Sequence, residues 1–139
     1  MDLLDEYQKR GLTVTLRVVE EIIHDIERTL TEGERHGIFK DMRDDIQADN
    51  KAEILSKLPV IRERITDVKD AFGLEKIYRE NTNEVLGRLN FCWEILIGSK
   101  AKGLAGYGSV SKGLDEVLDP QMDAIIKLIE EITKVLKSH

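Results

Sequence analysis

The chain has 139 residues, of which 41% are hydrophobic, 35% are charged and only 5% are aromatic, and its formal net charge is −6. This length and aliphatic content allow one domain to bury a core without disulfides or metal ions, which argues against an intrinsically disordered chain. The negative charge repels a phosphate backbone, so we expect no nucleic-acid partner.

The N-terminal segment, MDLLDEYQKR, carries acidic residues where a signal peptide carries basic ones. No apolar run in the chain approaches the roughly 18 residues of a membrane span, so we expect a soluble protein without a membrane partner. Within this segment, Leu3, Leu4 and Tyr7 predict a short leading helix that ends at Gly11.

Four longer segments repeat apolar residues at alternating steps of four and three, the spacing of an amphipathic helix. They run from Leu12 to Leu30, from Ile54 to Phe72, from Tyr78 to Leu96 and from Leu118 to Leu136. Long helices packed at shallow angles use this average step of 3.5 residues. The sequence therefore predicts an all-α fold without a sheet: an antiparallel bundle of four main helices in a single domain over residues 1–139.

The connection between the first and second helices combines a polar run with apolar residues. Residues 31–37 form the polar connection, while Ile38, Phe39, Met42 and Ile46 predict an extra helical piece from about residue 38 that joins or abuts the second helix.

The second helix contains a proline within its apolar stripe. Asn50 and Glu53 have the spacing of a capping box and predict the start of this helix, and Gly73 predicts its end. Pro59 removes one backbone hydrogen bond, but the apolar register continues through it. We therefore expect a kinked second helix and not a break.

The third helix has more apolar residues than one bundle face can bury. Its candidates for contact with another chain are Phe91, Trp93, Ile95 and Ile97, since large exposed rings concentrate interface energy. The alternative is that the two rings fill the core of a monomer. Cys92 is the single cysteine and lies in this apolar run, where a reduced core thiol is the ordinary expectation.

The first and fourth helices are also broadly apolar. Val18 and Ile22 lie beside the first stripe, and Ile126, Leu128 and Val135 lie beside the fourth. These faces favour self-association through helices.

Residues 98–113 hold five of the ten glycines and precede the last helix. Each glycine inside a helix costs about 1 kcal/mol relative to alanine, so we expect a flexible Gly-rich connection with a helical turn at either side. Close helix packing and an anion site are the alternatives, although a phosphate loop follows a strand and ends in Gly-Lys-Ser/Thr. Asp119 and Pro120 predict the start of the last helix as its cap and first residue.

Glu21 and His24 have the Glu-x-x-His spacing that di-iron helical bundles use. At 100° per residue, however, Glu21 lies about 180° from the apolar stripe and faces water. We therefore expect no metal site.

His24 also begins the segment HDIERTL, residues 24–30, which resembles the phosphoacceptor box of sensor histidine kinases. The resemblance implies a phosphorylated His24 with Asp25 orienting its ring. The segment differs from the commonest form of the box in two ways: its basic residue lies one position later, and the usual proline is missing. The chain has no room for an ATP-binding domain, so only a phosphotransfer role is open.

Three classes of function remain after these observations. We prefer a non-catalytic interaction or assembly protein, a homo-oligomer and most simply a dimer, in the reducing cytoplasm. The second class is a histidine phosphotransfer module with His24 as acceptor. The third is an enzyme or small-molecule binder whose site cannot be read from residue spacing. No hydrolase motif is present, so the sequence favours a protein without enzymatic activity but leaves the third class open, and we expect no cofactor.

Overall fold

The structure, a computed structural model, describes residues 3–138 and is mostly helical. In this range the elements are α1 (Glu6–Glu32), β1 (Arg35–His36), β2 (Asp41–Met42), α2 (Ala48–Ala71), α3 (Asn81–Ile97), α4 (Ala101–Leu104) and α5 (Leu114–Lys137). The predicted all-α class is confirmed. The chain divides into two compact units, Met1–Lys76 and Ile77–His139.

Helix α1 begins at a reciprocal cap. The Asp5 carboxylate accepts from the Gln8 backbone N–H at 2.7 Å, and the Gln8 side chain accepts from the Asp5 N–H at 2.9 Å. The helix then runs without interruption through Gly11, so the prediction of a separate leading helix was wrong. One glycine costs about 1 kcal/mol, too little to break a long capped helix. The helix ends at Gly33, which adopts a φ of 68°.

The segment after α1 forms a β-hairpin, so the predictions of no sheet and of a helical piece from residue 38 were wrong. Strands β1 and β2 are antiparallel, with Arg35 opposite Met42. In the turn, the Gly37 N–H donates to the Lys40 carbonyl at 3.0 Å, and a Cβ on Gly37 would lie only 2.8 Å from that oxygen. This close approach explains why the turn needs a glycine at position 37.

Helix α2 begins at Ala48 with Gln47 as its cap, three residues before the predicted cap Asn50. Asn50 therefore lies inside the helix and does not cap it. The helix continues through Pro59, as predicted, and ends at Ala71. Gly73 follows at a φ of 61°. Its positive φ agrees with its predicted role in ending the helix.

The first unit is built by packing α1 against α2. Ile23 and Leu30 of α1 and Leu58 of α2 are buried. At the edge of this contact, Arg62 Nη1 donates to Glu27 Oε2 at 2.9 Å. The apolar stripes of the sequence therefore predict these two helices. The buried residues of the stripes hold α1 and α2 together.

The second unit is built by packing α3 and α4 against α5. Ala101 of α4 and Ile126 of α5 are buried. Helix α5 begins at Leu114 after Gly113, which has a φ of 90°, so the predicted start at Pro120 was wrong. Asp119 instead accepts the Ala101 backbone N–H at 2.9 Å, which caps α4 and not α5.

The Gly-rich stretch is partly helical. It contains α4 and a single 3-10 turn over Ala105–Tyr107. A Cβ on Gly103 would lie well under 3.0 Å from the Gly98 carbonyl oxygen, so the end of α3 and the middle of α4 approach with no room for a side chain. Glycine at position 103 is thus a requirement of close backbone packing.

Candidate interaction surfaces

The first apolar surface lies on α1, on a different side from the residues that contact α2. Val14, Val18 and Ile22, here called the α1 outer row, follow each other at steps of four and are 44 to 52% exposed. At 100° per residue, Val18 lies about 140° around the helix from the buried Ile23. Gly11 extends this row, and nothing lies within 4 Å of the position its Cβ would take. The first unit therefore leaves this row uncovered.

A second apolar surface lies on α5. Ile125, Leu128, Ile132 and Val135, the α5 outer row, are spaced by three, four and three residues and are 46 to 66% exposed. The sequence stripe placed Ile125 and Ile132 toward the core, whereas the structure buries Ile126. Because this helix is apolar over much of its circumference, the periodicity alone did not show which side α3 covers.

The four interface candidates on α3 are all exposed, but they lie on two sides of the helix. Phe91 and Ile95 form one pair, four residues apart, and Phe91 is 62% exposed. Trp93 and Ile97 form the other pair, about 160° away. Cys92 between them is half-buried and carries a free thiol. Whether these candidates contact another chain stays a prediction.

An open groove of about 520 Å³ lies between α3 and α5 in the second unit. Trp93 forms part of its wall and donates from Nε1 to Glu130 Oε1 at 3.1 Å. Gly87 also lines the groove, and a Cβ there would meet nothing within 4 Å. The missing side chain leaves this part of the groove open.

The hairpin turn carries the most exposed large apolar side chains of the described chain. Ile38 and Phe39, here called the hairpin tip, are 95% and 99% exposed. The apolar spacing did not predict this feature, because it placed both residues in a helix. Gly37 before the pair was the one available signal of a turn.

His24 and Asp25 are exposed on α1, as is Glu21. The Asp25 carboxylate lies 4.0 Å from Arg28 Nη2. Within residues 3–138 no group of three or more His, Cys, Asp and Glu side chains has an arrangement that would hold a metal ion. No helix in the same range is long and apolar enough to cross a lipid bilayer.

The Glu27–Arg62 ion pair makes part of the stability of the first unit depend on pH. The hydrogen bond from Arg62 holds the pKa of Glu27 below its ordinary value, and the same bond raises the pKa of Arg62. The folded state thus favours the carboxylate, so this stabilisation is present above the ordinary glutamate pKa. It is lost as the pH falls through the lowered value. Both side chains are partly exposed, so the contribution is small.

We expect Glu27→Gln to unfold at a lower urea concentration than the wild type at neutral pH, because the charge-assisted hydrogen bond is weakened. The difference should shrink at a second, acidic pH below the lowered pKa of Glu27, since the wild-type carboxyl becomes protonated as the pH falls through that value. Urea titrations at the two pH values measure the effect, with Glu63→Gln on the exposed side of α2 as control. An equal difference at both pH values would contradict this role of the ion pair.

Comparison with known protein families, with curated proteins and with solved structures gives no match for this chain.

Proposed function

We propose that this protein is a non-catalytic helical assembly protein that self-associates through the α1 and α5 outer rows. The observation that carries the proposal is the presence, in each unit, of an apolar helical row that the unit's own elements leave exposed. Fully burying an aliphatic side chain that starts in water is worth about 1.5–3 kcal/mol, and each side chain of the rows still has roughly half of its surface to bury. Seven such side chains in two rows supply a large driving force for association.

The spacing of both rows fits a partner helix. Steps of three and four residues place the side chains on one face, which is the surface that packs against another helix. Gly11 continues the α1 outer row with open space beside it, and such a small residue lets a second backbone approach closely. The partner we propose for these rows is a second copy of the same chain, and a symmetric dimer is the simplest closed assembly.

We also propose that the four long helices form an antiparallel bundle as one domain over residues 1–139, with α2 bent at Pro59. The small number of side chains that each helix pair buries supports this arrangement, since a stable domain needs a larger shared core. Calorimetry tests it: one cooperative transition is expected, and two separate transitions would contradict a single domain.

Light scattering tests the assembly proposal directly. A mass above the 15.9 kDa of one chain is expected at micromolar concentration. We place the assembly in a reducing compartment, the cytoplasm, in keeping with the single free thiol of Cys92.

The exposure of His24 near the middle of α1 gives a second candidate function, phosphotransfer, because a phosphoacceptor imidazole must be accessible to a partner domain. The assembly proposal instead predicts that His24 has no functional role. We expect His24→Ala to change the free energy of unfolding by no more than about 0.5 kcal/mol and to leave self-association unchanged.

The discriminating measurement incubates the wild type and His24→Ala with a small phosphodonor, followed by mass spectrometry that preserves phosphohistidine. No added phosphate is expected on either protein. Phosphate on the wild type that is missing from His24→Ala would favour the phosphotransfer module instead.

A further inference from the structure

The hairpin tip has no partner in its own turn. The turn is closed by backbone contacts of Gly37, which leave the side chains of Ile38 and Phe39 almost fully in water. Large apolar side chains exposed together in this way indicate a contact surface more often than a lone exposed residue does.

The groove between α3 and α5 has the properties of a complementary receptor. Its apolar lining comes from Leu86, Leu89, Trp93 and Ile129. Gly87 costs α3 about 1 kcal/mol in helix propensity, and no neighbouring atom requires a glycine there. The missing side chain has one visible consequence in this unit: it leaves the groove accessible.

We propose that the hairpin tip of one copy inserts into the α3–α5 groove of a second copy. The inference rests on the proposed self-association and names a specific contact within it. The size is suitable, because a cavity of about 150 Å³ holds a benzene ring and the groove has about 520 Å³. Since every chain carries both tip and groove, reciprocal insertion buries two tips and closes a symmetric dimer.

Charge complementarity also favours a second copy as the occupant. Lys40 follows the hairpin tip directly and has no ion-pair partner within residues 3–138. In the groove, Glu130 accepts a hydrogen bond from Trp93 but has no cationic partner among the described residues. Insertion of the tip would bring Lys40 to Glu130, the acidic residue of the groove lining. Lys137 is the cationic residue of the same lining.

The groove is tested by Gly87→Leu, which fills it with a helix-favouring side chain. Size-exclusion chromatography with light scattering should show the dissociation constant of the assembly raised at least tenfold. Circular dichroism should show the helix content retained. Arg88→Leu is the control, because it places a leucine at the neighbouring exposed position of α3, which does not line the groove.

The tip is tested by Phe39→Ser, which should weaken association at least tenfold, with Tyr78→Ser as control because Tyr78 is an aromatic residue 85% exposed outside the tip. If the wild type assembles and both Phe39→Ser and Gly87→Leu assemble equally well, the tip-groove contact is overturned while the assembly proposal stands. If the wild type is monomeric at all concentrations, both are overturned.

Cross-linking between copies identifies the contact itself. One chain carries Phe39→Cys and the other Gly87→Cys, and Cys92→Ser removes the native thiol from both. Mild oxidation of the mixture should give a disulfide-linked heterodimer. Failure to cross-link under conditions where the mixture assembles would overturn the inserted geometry. Pairing Tyr78→Cys with Gly87→Cys is the control.

Discussion

Replacing Gly103 with alanine is expected to destabilise the second unit by about 2–3 kcal/mol, although alanine is the better helix former by about 1 kcal/mol. The new Cβ would lie well under 3.0 Å from the Gly98 carbonyl oxygen, which is backbone and cannot rotate away. To relieve the clash, the end of α3 must move away from α4. This movement also strains the hydrogen bond that the Ala101 N–H donates to the Asp119 carboxylate. Urea unfolding followed by circular dichroism measures the loss.

Gly106→Ala is the matched control for this prediction. Gly106 lies three residues further along, in the 3-10 turn, and nothing stands within 4 Å of its Cβ position. We expect this variant to stay within about 0.5 kcal/mol of the wild type. Equal stability of the two variants would show that the close approach of Gly103 to Gly98 does not constrain the fold.

Leu128→Lys is expected to raise the dissociation constant of the assembly roughly 100- to 1,000-fold. Leu128 is 59% exposed in the α5 outer row, so the fold itself tolerates a charge there. In a symmetric dimer the substitution enters the interface twice, and a buried anchor residue is worth about 2 kcal/mol at each occurrence. Covering the row would also bury the lysine charge without a partner, which costs free energy.

The control is Lys127→Ala, which changes the exposed neighbouring position and removes a charge outside the row. Its dissociation constant should match that of the wild type. If Leu128→Lys assembles as tightly as Lys127→Ala does, the α5 outer row is not part of the interface.

The sequence predicted the long helices well where apolar spacing was sustained. The stripe through Pro59 correctly indicated a continuous helix, because side-chain packing outweighs one lost backbone hydrogen bond. Ile38, Phe39, Met42 and Ile46 misled the same reasoning, since their spacing also fits a helical face. The close contact of Gly37 with Lys40 decides the conformation there, and periodicity does not report it.

The ends of elements and the identity of exposed faces depend on contacts between residues far apart in sequence. Asp119 has the local features of a cap for α5, but its carboxylate binds the amide of Ala101, eighteen residues earlier. Likewise, the sequence showed that α5 is broadly apolar without showing which side α3 would bury. Phe91 and Ile95 were predicted as interface candidates, whereas the hairpin tip was not, because exposure of a turn follows from the fold.

Sedimentation equilibrium of the wild type and Leu128→Lys, measured side by side over a wide range of concentrations, tests the central claim most directly. The wild type should have a mass above 15.9 kDa that falls toward the monomer on dilution, while the variant should remain monomeric at concentrations where the wild type is associated. A wild type that has the mass of one chain at every concentration would contradict self-association through the outer rows.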